Sequence, residues 1–433
     1  MTYALLIDVG GTFIKFAHYD FMKAELSGVK RIPTCASTVN RFGGSVIAPS
    51  VLRDQIEQVV RSESREGETC TGIFVTGQMH GVLLVDELFE PRSEIYTWRS
   101  SVVAPSGSIS VSELRRIIGQ TREAETGGEL REGSPIATLY GLSQHRQLIA
   151  GHKALSLISF VAISLASQSR RLLVHQTDAA AYGCFNLKSS NWHWEMLDQL
   201  GLGPLNFPEV TGSIESVGVN EVLDCPVFVA LGDHQTSLLG SEIQADEVSV
   251  NLATGGQVSR VVNNVIGRAQ TRPYFAGRFV SCVTQIPAGR SLNTIVKFLA
   301  DFGKLDEDVV WSRITDELMV VKSSSLIVRN PFFYSADSSL GSISGITEKN
   351  LSLGEIFRGA LSDIADRVCR AIEIVSPSSH NLKLVMSGGL VSKLSSLQEE
   401  IIFRSECKTY RVCSSNDSSL VGLSVLAQQE LPR

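Results

Sequence analysis

The chain has 433 residues, 43% of them hydrophobic and 19% charged, enough to bury a large core, so general disorder is excluded and two domains of about 200 residues each are the expectation. The 39 basic and 45 acidic residues give a formal charge of −6 without long like-charge runs. This leaves no electrostatic footprint for nucleic acid or an anionic membrane. The eight cysteines form no CxxC pair, which fits reduced, packed thiols better than a disulfide framework or zinc site and reads as cytosolic.

In chain order, the first run, Ala4 to Val9, meets Asp8 too early for a signal peptide or membrane span and reads as a strand ending in Gly10-Gly11-Thr12. The pattern recurs. Ile73 to Val75 runs into Thr76-Gly77, Val227 to Leu231 into Gly232-Asp233, Val248 to Leu252 into Thr254-Gly255-Gly256, and Leu382 to Met386 into Ser387-Gly388-Gly389. Continuous apolar runs predict strands covered on both faces, and the helical stretches between them predict a layered α/β protein. Ligands of such folds gather at strand ends, where these clusters lie. Among the helices, Val51 to Val60 is amphipathic and Ser110 with Glu113 opens a shorter one. Ser352 and Glu355 have capping-box spacing ahead of Ile356, Ala360, Ile364, Val368 and Ile372. The seam between domains is expected between the Gly232-Asp233 turn and the strand near Val248, giving 1–245 and 246–433.

Three constellations suggest chemistry. In Asp8-Val9-Gly10-Gly11-Thr12-Phe13-Ile14-Lys15, two glycines let backbone N–H groups approach an anion, Thr12 adds a donor and Lys15 a charge. Asp8 would hold Mg²⁺ directly or through water; a plain hairpin turn is the alternative. In Thr76-Gly77-Gln78-Met79-His80-Gly81, Gln78 and His80 lie between buried runs and need polar partners, which a polyhydroxylated ligand would supply, unless His80 is an interior histidine satisfied by protein and Met79 plain core. Asp233, directly after an apolar strand, is either a cap for the next helix or a carboxylate able to accept a hydroxyl proton. The turns at Asn251 to Gln257 and Ser387 to Leu390 are Gly-bearing and, singly, uninformative.

Taken together, DVGGTFIK, TGQMHG, Thr177-Asp178-Ala179, LGDHQTSLLG, NLATGGQVS, Arg272-Pro273-Tyr274-Phe275, Gly341 to Gly345 and SGGL resemble the FGGY family of carbohydrate kinases. The resemblance implies two actin-like (ribonuclease H-like) domains with an interdomain cleft, the amino-terminal one binding sugar and the carboxy-terminal one ATP. By position, Asp233 would be the catalytic base and Asp8 would serve Mg²⁺. Gln78, Met79, His80, Trp98 and Asp233 would meet the sugar. Gly10, Gly11, Thr12, Lys15, Thr254, Gly255, Gly256, Gly388 and Gly389 would meet ATP. TGQMHG is more like xylulokinases, and RPYF with GSISG more like sedoheptulokinases. One departure stands out: after Trp98, relatives usually carry an acid two residues on, and here Ser100 replaces it. The expected activity is phosphorylation of a primary hydroxyl of a small ketose or related polyol; the competing readings are a nucleotide- and sugar-binding regulatory protein with weak or no turnover, and a glucokinase-like hexose kinase. Partners beyond sugar and ATP are not implied, and a homodimer is left open.

Overall fold

In the computed structural model, the described residues are 2–100, 103–104, 107–108, 111–265, 267–330, 340–377, 382–413 and 417–431. They form two compact α/β units. One comprises Met1–Glu242 with Thr271–Arg278 and Asp417–Arg433; the other comprises Ile243–Gln270 with Phe279–Asn416. The turnover near residue 242 lies close to the expected seam, but the first unit also takes in two later pieces of chain. Sequence gives no sign of this, because the packing partners of those pieces lie far off in the chain, 38 to 143 residues from Arg272 and 411 from Ser419.

The first unit is built on a sheet whose strands are β1 (Thr2–Val9), β2 (Phe13–Asp20), β3 (Glu25–Pro33), β4 (Thr69–Gly77), β5 (Ser216–Asn220), β6 (Cys225–Phe228) and β7 (Leu231–Gly232). The order is β5-β6-β4-β1-β2-β3, with β7 also paired to β4. β1 and β4 run parallel in register Asp8↔Thr76 and Val9↔Gly77, and β7 runs parallel to β4 with Leu231↔Thr76 and Gly232↔Gly77. The apolar run expected over Val227 to Leu231 is thus divided into two short strands. Leu5, Ile7 and Val9 face a core shared with Leu52 and Ile56 of helix Pro49–Ser62 and with Ile158 and Val161 of helix Leu157–Leu165. Ala4, Leu6 and Phe74 face the opposite side, against Leu420 and Leu423 of the last helix, Ser418–Glu430. Both faces are covered, which is why the strands read as unbroken apolar runs.

The last helix crosses helix Asp233–Gly240 at backbone contact. A Cβ on Gly240 would lie 1.8 Å from Ser418 O, and one on Gly422 would lie 1.9 Å from Thr236 O. Only glycines permit this approach. The helix expected to begin near Ser110 is observed as Val111–Ile118; Ser110 itself lies outside the described residues.

In the second unit β8 (Glu247–Leu252), β9 (Gly255–Val262), β10 (Phe279–Pro287), β11 (Lys383–Ser387) and β12 (Thr409–Val412) lie in the order β10-β9-β8-β11-β12. Helix Leu353–Val375 covers this sheet, burying Phe357, Ala360, Ile364, Val368 and Ile372. Ser352 Oγ accepts from Glu355 N at 3.2 Å, as a cap should, while the Glu355 carboxylate accepts from Ser325 N at 3.0 Å.

Candidate active site

Sheet register brings three of the sequence-predicted segments together. Asp8 ends β1, Gln78 follows β4 and Asp233 follows β7, all at the carboxyl ends of adjacent parallel strands. β1 and β7 lie two strand spacings apart, roughly 10 Å, on either side of β4, and the Asp8 charge is felt at Asp233. Thr76 Oγ1 donates to Leu231 O at 2.8 Å, and Thr177 Oγ1 accepts from Gly232 N at 3.1 Å, fixing the turn that presents Asp233. Asp178, fully buried, takes no part at this turn: its Oδ2 accepts from Ser156 and Ser159 at 2.5 and 2.8 Å.

Asp233 is the first residue of its helix, Gly232 taking the cap position. It is part-exposed. Burial and then the neighbouring Asp8 charge push its carboxyl up to about 7, with Arg272 opposing. Asp8 is 8% exposed, and burial raises its carboxyl too, against a 2.5 Å hydrogen bond from Ser419 Oγ and the charge of Lys15. Lys15, opposite Asp8 on β2, is 3.0 Å from Asp417 Oδ1. The two carboxyls supply hard oxygen donors of the kind that suit a hard cation. Among the described residues no three His, Cys, Asp or Glu side chains converge as a self-sufficient metal site, so a cation here would draw most of its ligands from a phosphate.

At the turn after β4, Gln78 Oε1 and Trp98 Nε1 both lie over Gly11, 3.6 and 3.9 Å from where its Cβ would be. Trp98 is part-exposed with the Arg99 guanidinium 4.8 Å from its ring centroid. Met79 is buried, with Sδ 3.9 Å from Arg272 Nη1. His80 has φ +71°, an unusual conformation for a non-glycine residue that marks a constrained site. Its ring is held by protein on both sides: Arg131 Nη2 donates to Nδ1 at 2.6 Å, and Nε2–H therefore donates to Glu129 Oε2 at 3.0 Å. Burial and the Arg131 charge lower its pKa to about 3, so it is neutral. Both ring nitrogens of His80 thus have protein partners, as the interior-histidine alternative requires. Ser100 is likewise committed, donating to Ser45 O at 2.6 Å.

Glu129, Arg131 and Arg272 escape sequence reasoning as site residues. Arg272 Nε and Nη2 donate to Glu129 at 2.5 and 3.2 Å, and its Nη1 donates to His234 Nδ1 at 2.9 Å. Arg272 belongs to the RPYF segment, so a motif did mark the region; nothing marked Glu129. In the second unit, Asn251↔Ser387 register sets the Thr254-Gly255-Gly256 turn beside Gly388-Gly389, at the carboxyl ends of adjacent parallel strands β8 and β11. Gly388 has φ +96° and packs on Leu252 O. Each unit thus repeats one device: paired Gly-bearing turns at parallel strand ends.

Residues 3–240 match the N-terminal domain of the FGGY family of carbohydrate kinases. The chain is 22% identical over 445 residues to human "Sedoheptulokinase", covering 91% of each. It is 21% identical over 341 residues to "Xylulose kinase" of Staphylococcus xylosus, covering 74% of this chain and 68% of that one. Among solved structures, ligand-bound xylulose kinase from Lactobacillus acidophilus superposes with TM-score 0.83 at 16% identity, covering 100% of this chain and 90% of that one. That likeness shows the fold, an α/β architecture of two actin-like domains. No helix among the described residues is long and apolar enough to cross a membrane.

Proposed function

The chain belongs to the FGGY family of carbohydrate kinases, and on that premise we propose that it transfers the γ-phosphoryl group of ATP to a primary hydroxyl of a small ketose or related polyol, xylulose- or sedoheptulose-like, with Asp233 as general base. The observation that carries this reading is Asp233 itself: a part-exposed carboxyl at a parallel strand end, raised to about 7 beside Asp8. A base of that strength accepts a hydroxyl proton more readily than an ordinary carboxylate, yet is still substantially ionised at neutral pH.

In this mechanism the sugar hydroxyl oxygen attacks phosphorus, the bond to the β-phosphate oxygen breaks, and Asp233 takes the hydroxyl proton and later releases it to solvent. Most of the acceleration of such transfers comes from positioning and charge neutralisation. Gln78 and Trp98, which converge over Gly11, and the held His80 and Met79 form the acceptor side. The anion side is the open Gly10-Gly11-Thr12 turn with Lys15, and, separately in the second unit, the turns at Thr254 to Gly256 and Gly388-Gly389. Asp8 is the residue that would hold Mg²⁺, and the ion would supply neutralisation of phosphate charge. The names of the curated relatives support the ketose class; Ser100, where the family resemblance leads one to expect an acid, donates its hydroxyl to Ser45 O, so a substrate preference different from the usual ketoses is expected.

The test is a coupled ADP-release assay across ketoses, polyols and hexoses. Sugar-dependent release that is lost in Asp233→Asn supports the reading; release indifferent to sugar favours the regulatory alternative, and turnover of glucose without any ketose favours a hexose kinase.

A further inference from the structure

Glu129 is completely buried, yet nothing in the mechanism above employs it. Its carboxylate joins three pieces of chain that sequence keeps apart. Oε1 accepts from Arg272 Nε, and Oε2 accepts from Arg272 Nη2 and from His80 Nε2. Arg272 continues to His234 Nδ1, the side chain next to Asp233, and His80 continues to Arg131. The donors and acceptors interlock in one sense only. Arginine can only donate, so both His80 Nδ1 and His234 Nδ1 are acceptors and both rings carry their proton on Nε2. A neutral carboxyl at position 129 would break this pattern, since its O–H would be a donor facing only arginine and imidazole N–H donors.

We infer that Glu129 is a positioning residue for the acceptor side of the reaction: it fixes the His80 turn and, through Arg272 and His234, the start of the helix that presents Asp233. This rests on the reading of Asp233 as base. The physical reason for such a device is the steepness of phosphoryl transfer with geometry, where a misplacement of about 1 Å can cost about 100-fold in rate. The strained φ of His80 gives a second reason: a conformation of that kind persists only where surrounding contacts over-determine it, and Glu129 and Arg131 are those contacts.

The experiment uses the full chain and two variants. Glu129→Gln removes the charge and one acceptor, leaving the Arg272 charge without its partner. Because that variant is prone to misfold, Glu129→Met/Arg272→Met removes both charges with apolar side chains of similar length, an exchange that buried ion pairs tolerate. Circular dichroism melting, ATP affinity by titration calorimetry, and kcat and KM for the best sugar are measured for each. The expected result is a kcat lower by about 100-fold in the double variant at pH 9, where loss of the Arg272 charge no longer limits Asp233 ionisation, exceeding any rise in sugar KM, with ATP affinity close to that of the unaltered protein. A folded double variant with kcat within about threefold of the parent overturns the inference, as does a loss accounted for by the unfolded fraction. An unaltered protein without sugar-dependent ADP release instead sinks the acceptor reading itself; an active parent with an active double variant sinks only the role of Glu129.

Discussion

With Asp233 as base, the reaction requires its carboxyl to be unprotonated, so activity should fall as pH drops through its pKa. Burial, then the Asp8 charge, put that value at about 7, with Arg272 in opposition. The ionised fraction is then about one tenth at pH 6, one half at pH 7 and nine tenths at pH 8. At saturating ATP and Mg²⁺, kcat/KM for the sugar should therefore rise by up to about tenfold from pH 6 to pH 8 and level off above, the rise shrinking to the extent that Mg²⁺ on Asp8 neutralises the charge that helps hold Asp233 high. An ordinary carboxyl near 3.8 would give a flat profile over that range. Asp233→Asn should lose about 10²- to 10⁴-fold in turnover, the usual worth of a general base, and its residual rate should lose the acid limb. The assay is coupled ADP release in a constant-ionic-strength buffer series, with ATP binding measured in parallel. A limb with the same midpoint in Asp233→Asn would assign the titration to another group. Residual turnover above about a tenth of the parent would remove Asp233 as base.

Other outcomes follow from different contacts. Gly422→Ala puts a methyl group 1.9 Å from the backbone oxygen of Thr236; overpacking costs about 1–3 kcal/mol, and urea denaturation should show it, with an unchanged midpoint refuting the close crossing. Lys15→Met should raise the KM for ATP severalfold with little effect on sugar KM, since the side chain stands at the Gly10-Gly11-Thr12 turn and is paired with Asp417; equal effects on both would move Lys15 away from the phosphates. His175, 1% exposed and bound to Thr177 and Gly212 O, has its pKa lowered to about 4 by burial. The unfolded chain protonates near 6.5, so the stability linked to His175 is complete above that value and is lost as pH falls towards 4, by about 2 kcal/mol at pH 5. A His175→Asn variant should lose correspondingly less stability between pH 7 and pH 5; identical acid sensitivity would show that another group governs it.

What the sequence by itself determined here is local. An apolar run followed by Gly, Thr or Asp specifies a covered strand and a tight turn through short-range sterics and hydrophobic patterning, so β1, β4, β8 and β11 and their turns were legible. The capped helix at Ser352 was too, because cap and periodicity lie within a few residues of each other. Asp8, Gln78 and Asp233 were recognisable as polar groups at strand ends. Tertiary structure decided which of these share a site, through the β1-β4-β7 register, and what surrounds them. Glu129 meets His80 across 49 residues and Arg272 across 143, and Ser419 reaches Asp8 across 411. A buried carboxylate leaves no periodicity in sequence; it is chosen by the charges and hydrogen-bond donors that folding brings to it. For the same reason the partners of His80, left open between ligand and protein in one dimension, are named only in three.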